Sequence, residues 1–428
     1  MSDDLFVTDY RLQHALSGRG FLPGKAAIQD GIQAPADWNR HWLNALSYSS
    51  RRLVVINVLG DSITEGNFCT DERNISTGNC YVQLLAKKLQ AQYGDGGGGF
   101  QNFYNPSLNG TTYTDTAPIV LTGTGITFGT QATPTGTYIN LVSVGNAVQT
   151  YARGSKVVIW FLRNVSGGIA DVTIDGVDKG NVNTAGSNTF LIVEYTGLSN
   201  TDHTVVITYA SGGSANLNIM GVGGYNASGV VINKLSVPGL SPAKITQSAI
   251  QTAYGNQYDN MIGSPFTSGA TTPTGLPYLA PDLFINALIV NGQASSDQTT
   301  YFNDIMQILQ YHRILKPNSM SILQLLPHYG NYKAIYYLMN RATCQQLASM
   351  YNCGFLDLSA YLPTGNSWML SPGYFAVGTS NGAASCPTGS QGQSGIYGTN
   401  LNAIHPSDIG HQIMADSIYP VIMATASS

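Results

Sequence analysis

The segment 53–66 limits the possible folds more than any other part of the sequence. Six of the seven residues from Leu53 to Leu59 are apolar and four are β-branched, which is typical of a strand buried on both faces. This strand runs directly into a Gly-Asp-Ser turn. Ser62 would therefore lie at the carboxyl end of a central strand, where open α/β sheets bind their ligands. Such a serine is either a nucleophile or only the cap of the next helix.

Segments that resemble buried strands alternate with helical patterns in the second half of the chain. Strands are predicted at 229–233, 281–292, 319–326 and 354–358, and helices near 301–315 and 332–351. A further helix is predicted from about Tyr81 to Tyr93, ended by the glycine run 94–99, which we interpret as a flexible helix stop. This alternation predicts an α/β fold, a three-layer α/β/α sandwich around a parallel sheet.

Residues 111–225 interrupt the α/β pattern with alternating polar and apolar segments bounded by Gly, Asn and Asp. They predict an inserted β-sandwich of jelly-roll type, which either stabilises the fold or binds a glycan. The predicted domains are an N-terminal arm at 1–50, an α/β domain at 51–110 and 226–428, and the insert at 111–225. In the arm, Trp38 and Trp42 lie in a short amphipathic segment and are expected to be packing anchors.

The composition narrows the function classes. Charged residues make up 10% of the chain and the net charge is −4, so nucleic acid and anionic membranes are not expected partners. No apolar run reaches the roughly 18 residues that span a bilayer, and no signal peptide is visible at the N-terminus. The 48 glycines and 25 tyrosines suggest a neutral exterior suited to carbohydrate.

The cysteine pattern predicts no metal centre. No spacing among the five cysteines is that of a zinc site. Cys69 and Cys80 flank a polar loop beside Ser62, and the sequence leaves open whether they are bridged or free.

Two motifs near opposite ends of the chain suggest acyl-transfer chemistry, which needs a nucleophile, a base and donors for an oxyanion. One is Gly-Asp-Ser-Ile-Thr-Glu-Gly at 60–66 and the other is Asn-Ala-Ile-His-Pro at 402–406, followed by Gly410-His411. They resemble the first and last signature blocks of the SGNH (GDSL-type) hydrolases. That resemblance implies a flavodoxin-like α/β/α fold with Ser62 as nucleophile and His405 as general base, whereas His411 is expected to be structural.

The two middle blocks of the family are less distinct in this chain. Gly239 follows the second predicted strand, and Asn291 is identified by its register in Ile-Val-Asn-Gly at 289–292. The resemblance implies an oxyanion hole formed by the backbone N–H groups of Ser62 and Gly239 and by the side-chain amide of Asn291. Ile289 and Gly292 stand where the family has glycine and aspartate.

The chain also departs from the family at Asn402, where an aspartate normally orients the base. An asparagine carbonyl can fix the imidazole tautomer but stabilises imidazolium only weakly. Three alternatives follow. Asn402 or a backbone carbonyl orients His405, another carboxylate such as Asp408 or Asp297 takes the place of the aspartate, or the site is impaired. We expect the first, because the nucleophile, base and oxyanion positions are otherwise retained.

The resemblance extends to the carbohydrate O-acetylesterase branch, including bacterial polysaccharide deacetylating esterases and phage tailspikes. It implies hydrolysis of small acyl esters, above all O-acetyl, on a carbohydrate or polysaccharide through an acyl-enzyme on Ser62, with no cofactor. It also suggests an acetylated glycan partner, an extracellular or virion-associated location and a homo-oligomer. The alternatives are a lipase or thioesterase-like hydrolase of longer acyl chains and a non-catalytic glycan-binding module.

Overall fold

A computed structural model gives the architecture of the chain. The structure describes residues 32–35, 37–66, 69, 78–103, 119–129, 138–186, 190–212, 216–237, 240–242, 279–288, 298–315, 320–326, 334–361, 375–377, 401–406 and 408–424.

The helices are α1 Arg40–Leu46, α2 Ser62–Glu65, α3 Tyr81–Tyr93, α4 Gln298–Leu315, α5 Ala334–Met350 and α6 Asp408–Met423. The strands of the first half are β1 Ile32–Gln33, β2 Leu53–Gly60, β3 Gly99–Asn102, β4 Val120–Thr122, β5 Thr127–Gly129, β6 Tyr138–Leu141, β7 Ala147–Leu162, β8 Ile169–Ile174, β9 Val177–Asn183 and β10 Phe190–Ser211. Those of the second half are β11 Leu217–Tyr225, β12 Gly229–Ser236, β13 Leu283–Ala287, β14 Ser321–Leu326, β15 Gly354–Asp357, β16 Phe375–Val377 and β17 Leu401–Pro406.

The central part of the sheet is parallel and has the strand order of doubly wound folds. β12, β2, β13, β14 and β15 lie side by side in that order, and each pair is parallel. Because β2 comes first in the chain and β12 second, the order is the flavodoxin-like 2-1-3-4-5. The direction of winding therefore reverses between β2 and β13, and a ligand crevice is expected outside their carboxyl ends.

Helices cover both faces of the parallel strands, as predicted. Val54, Ile56 and Val58 of β2 pack in a cluster with α1, α3 and α6. Val55 and Leu59, on the opposite face, pack with α4 and α5. The apolar run of β2 is thus explained by burial on both sides. Trp38 and Trp42 are buried members of the first of these clusters, which confirms them as packing anchors.

The β-rich segment continues this sheet. β3 pairs in parallel with β12 and antiparallel with β11, and β11, β7, β10, β8 and β9 follow as antiparallel neighbours. On β7, Val158 and Trp160 face the α/β core, whereas Ile159 and Phe161 face a third cluster formed with β8 and β10. The predicted jelly-roll sandwich is not confirmed, because the described strands share one sheet with the α/β part.

The glycine run after α3 has a role that its composition did not predict. Gly94 ends the helix with φ +93°, as expected. The following glycines pack tightly, however, and a Cβ on Gly97 would lie 2.5 Å from the carbonyl oxygen of Gly224. The Gly96 N–H donates to the Val230 carbonyl at 3.0 Å. The predicted helix stop is therefore confirmed, but the glycines after it are closely packed rather than a loose linker, since they join the two parts of the sheet at close backbone approach.

A buried histidine anchors the turn between β8 and β9. His203 Nδ1 lies 2.6 Å from Asp175 Oδ2, and its Nε2 lies 3.0 Å and 2.8 Å from the carbonyl oxygens of Gly154 and Ser199. All three partners are acceptors, so the ring is best satisfied with a proton on both nitrogens. Burial alone would lower the pKa of His203, but the hydrogen bonds to Asp175 and the two carbonyls outweigh it and raise that pKa.

We expect this histidine to make stability depend on pH. Because its pKa is raised on folding, its contribution is complete below the unfolded pKa of about 6.5 and is lost as the pH rises through the folded pKa. The difference in free energy of unfolding between wild type and His203→Gln should thus be larger at about pH 5.5 than at about pH 8.5 in urea titrations. An equal difference at both pH values would refute the charged pair. Asp175→Asn, which removes the carboxylate, should follow the same trend.

The described helices give no membrane-spanning candidate, since none combines sufficient length with sufficient apolar character.

Candidate active site

The turn after β2 explains why the motif at 60–66 has its glycines. A Cβ on Gly60 would lie 1.9 Å from Thr64 Oγ1, so the chain can fold back here only without a side chain. Asp61 Oδ1 accepts a hydrogen bond from the Ile63 N–H at 3.0 Å and caps α2, which begins at Ser62. Gly66 ends α2 with φ +91°, a conformation that favours glycine. Ser62 is the first residue of α2 in this turn and is 8% exposed.

We expect Gly60→Ala to disrupt this turn. The added methyl group would overlap Thr64, so the turn must open at a cost of about 1–3 kcal/mol in the free energy of unfolding. Urea denaturation measures the loss, and Thr64→Gly introduced together with Gly60→Ala should recover part of it by removing the overlapping atoms. Wild-type stability of Gly60→Ala alone would show that the turn tolerates a Cβ.

The register of the sheet places the ends of β12 and β13, the strands that precede the predicted oxyanion residues in sequence, on either side of β2 where this turn begins. Gly60 pairs with Ser236 of β12 and with Ala287 of β13. The Val237 N–H donates to the Gly60 carbonyl at 3.3 Å, and the Leu240 N–H donates to the Val237 carbonyl at 3.0 Å. Gly239 and Asn291, which follow these strand ends, lie outside the described residues. Their roles as oxyanion donors stay predictions.

The segment with the predicted base lies against the nucleophile turn. β17 contains Asn402 and His405, and Cα atoms of β17 and α2 approach within 8 Å of each other. α6 begins at Asp408, directly beyond β17. The structure thus brings the two end motifs together at backbone level. The side chains of Asn402 and His405 are outside the described part of the chain, so the Ser62–His405 hydrogen bond remains a prediction.

His411 has the structural role predicted for it. Its Nδ1 accepts a hydrogen bond from the Tyr81 N–H at 3.2 Å, and the two rings stack with centroids 6.1 Å apart. The Tyr81 hydroxyl in turn lies 2.8 Å from Thr64 Oγ1. Burial raises the pKa of Tyr81 far above its usual range, so the phenol stays neutral. These contacts tie α6, which follows His405, to α2, which contains Ser62.

Behind Ser62 lies a buried ionic group that the sequence analysis missed. Lys234 Nζ lies 3.5 Å from Glu65 Oε1, and the Ser236 hydroxyl donates to Glu65 Oε2 at 2.6 Å. Two signals were available in the sequence: Glu65 belongs to the Gly-Asp-Ser motif, and Lys234 interrupts a strand that is otherwise mostly apolar.

The remaining candidates around the site have the following positions. Asp408 Oδ2 accepts a hydrogen bond from Asn79 Nδ2 at 3.2 Å, whereas Asp297 lies outside the described residues. Cys69 and Cys80 are both buried and are not joined by a disulfide bond, and burial raises the pKa of Cys80. Within the described ranges, no group of His, Cys, Asp and Glu side chains is arranged to hold a metal ion.

Comparison with known proteins supports the fold. Neither a protein-family model nor a curated protein sequence matches this chain. The chain is similar to the solved structure of a peptidoglycan O-acetylesterase, with a TM-score of 0.56 and 15% identity, covering 92% of this chain and 99% of that one.

Two family two carbohydrate esterases match with lower scores. The enzyme from Clostridium thermocellum has 13% identity and a TM-score of 0.28, covering 71% of this chain and 98% of its own. The enzyme from Corynascus thermopiles has 13% identity and a TM-score of 0.29, with 70% and 99% covered. From the first comparison we conclude that this chain has the α/β fold of the peptidoglycan O-acetylesterase, as the resemblance in its motifs predicted.

Proposed function

We propose that this chain is a carbohydrate esterase that removes small acyl groups, above all O-acetyl, from a glycan through an acyl-enzyme on Ser62. The observation that carries the proposal is the position of Ser62. It follows the central strand at the point where the sheet reverses its winding, and β17 with His405 lies against its helix. The alternative that Ser62 is only a helix cap does not hold, because Asp61 caps α2 and Ser62 is its first helical residue.

The proposed reaction has two halves. Ser62 Oγ attacks the ester carbonyl carbon while His405 accepts its proton, and the oxyanion is stabilised by the N–H groups of Ser62 and Gly239 and by the Asn291 amide. When the resulting tetrahedral intermediate collapses, the bond to the sugar oxygen breaks, and this oxygen takes the proton from His405 to become a hydroxyl. Water activated by His405 then attacks the acyl-enzyme and releases acetate. Asn402 or a backbone carbonyl holds the imidazole in the required tautomer.

The polar residues that follow Ser62 in the sequence, such as Asn67, Thr70 and Asp71, and the fold shared with a peptidoglycan O-acetylesterase favour a glycan substrate over a lipid. With such a substrate, the reaction would take place outside the cell or at a virion surface. Whether the chain acts as a homo-oligomer is a separate prediction that cross-linking can test.

Acetate release from a panel of acetylated polysaccharides, with Ser62→Ala as the control, tests the proposal. Release by the wild type alone would support it. A series of p-nitrophenyl esters tests the acyl chain length, and a preference for C8 or longer would favour the lipase alternative. Retention of a glycan without acetate release would favour the binding module.

A further inference from the structure

We propose that Lys234 is a positioning residue which, together with Glu65 and Ser236, fixes the helix that presents the nucleophile. This inference rests on the proposed function, because positioning is measured through the rate of Ser62 chemistry. Lys234 and Ser236 belong to β12, and Glu65 is the last residue of α2.

Lys234 and Ser236 contact both the backbone carbonyl and the side-chain carboxylate of Glu65, the last residue of α2. Lys234 Nζ donates to the backbone carbonyl of Glu65 at 3.0 Å and lies 3.5 Å from its Oε1. The Ser236 hydroxyl donates to Oε2 of the same carboxylate at 2.6 Å. Both ends of Glu65 are therefore held by one strand, and rotation of α2 would break several contacts at once.

All three side chains of this group are buried. Lys234, Glu65 and Ser236 are 6%, 3% and 0% exposed. A buried ion pair gains little stability over well-packed apolar side chains, because desolvation offsets the attraction. Hydrogen bonds and ion pairs are directional, by contrast, and define the orientation of a helix more strictly than apolar packing does. A role in holding geometry thus accounts for the charges better than a role in stability.

The location of the group ties together two parts of the proposed site. Ser236 is paired with Gly60 across the sheet, and the Val237 N–H donates to the Gly60 carbonyl. The same end of β12 therefore contacts the nucleophile turn and leads into the segment that contains Gly239. Lys234 and Ser236 would thus fix the turn that holds Ser62 relative to the end of β12.

Loss of these contacts should slow chemistry more than binding. A misplacement of the nucleophile by about 1 Å can reduce the rate roughly 100-fold. We expect Lys234→Met to lower kcat for p-nitrophenyl acetate by about 10- to 100-fold with KM nearly unchanged. Ser236→Ala, which removes one hydrogen bond and leaves the ion pair, should show a smaller loss in kcat of the same kind.

The control removes a more exposed ion pair at the other end of β2. Arg52 forms a bidentate pair with Asp282 at 2.9 Å and 2.8 Å, where β2 begins. Arg52→Met should leave kcat unchanged even if it lowers the urea midpoint. Comparing kcat, KM and the urea midpoint for the three variants and the wild type separates positioning from general stability.

The outcomes distinguish the two proposals. Hydrolysis of p-nitrophenyl acetate by the wild type but not by Ser62→Ala establishes the Ser62 chemistry on which both proposals depend. No hydrolysis by the wild type, or equal hydrolysis by the two proteins, overturns both. With that activity present, a kcat loss in Lys234→Met and Ser236→Ala but not in Arg52→Met supports the positioning role. A folded Lys234→Met protein with the kcat of the wild type would overturn the positioning role and leave the proposed function intact. If Lys234→Met does not fold, Ser236→Ala decides in the same way.

Discussion

Replacement of Ser62 by alanine is expected to lower kcat for p-nitrophenyl acetate by roughly 10⁴-fold or more, because the variant cannot form an acyl-enzyme. Ser62 is the first residue of α2, and its turn is set by Asp61 and by the two glycines of the motif. The change removes one oxygen atom, so the turn should persist and the urea midpoint should stay close to that of the wild type.

The control for this experiment is an exposed serine. Ser47 lies at the end of α1, and Ser47→Ala should retain full activity. Substantial hydrolysis by a folded Ser62→Ala protein would mean that another group is the nucleophile.

The second large effect is expected at His405. His405→Ala removes the proposed base, and general base catalysis contributes about 10²- to 10⁴-fold, so kcat should fall by that factor or more. Asn402→Ala should cause a smaller loss, because an amide carbonyl contributes orientation of the imidazole and little stabilisation of its charge. The pair of variants therefore separates the base from the group that orients it.

His203→Gln is the matched control for the loss of a histidine, because His203 lies on β10, away from the parallel strands. It should retain kcat under conditions where the protein is folded. An Asn402→Ala loss as large as that of His405→Ala would show that the side chain of Asn402 fully replaces the family's aspartate. Activity in His405→Ala equal to that of the wild type would contradict the proposed base.

The sequence predicted the elements whose signals are local. β2 was identified from its unbroken apolar run, and α3 from apolar residues at helical spacing followed by Gly94. The position of Ser62 followed from the same local evidence.

Elements that depend on distant partners could not be predicted in this way. β7 and β10 continue through Gly154 and Gly197, whereas the sequence pattern of 111–225 predicted glycines at the boundaries of its segments. Gly154 lies within β7, where a Cβ would meet the Tyr225 backbone nitrogen at 2.6 Å. The joining of the two sheet regions through β3 likewise depends on close backbone approach, which composition does not show.

The contacts behind the site were missed for a similar reason. Lys234 and Glu65 are far apart in sequence, and their contact depends on the parallel pairing of β12 with β2. The partner of His411, the N–H of Tyr81, is a backbone group that no side-chain pattern reveals.

The central claim, that the two end motifs form one reactive site, is tested most directly by covalent labelling with a fluorophosphonate. This reagent phosphonylates a serine when a base and oxyanion donors activate it. Peptide mass spectrometry should find one adduct, on Ser62, and its rate of formation should fall about 100-fold or more in His405→Ala. Labelling at another residue, or an equal rate in the two proteins, would contradict the account.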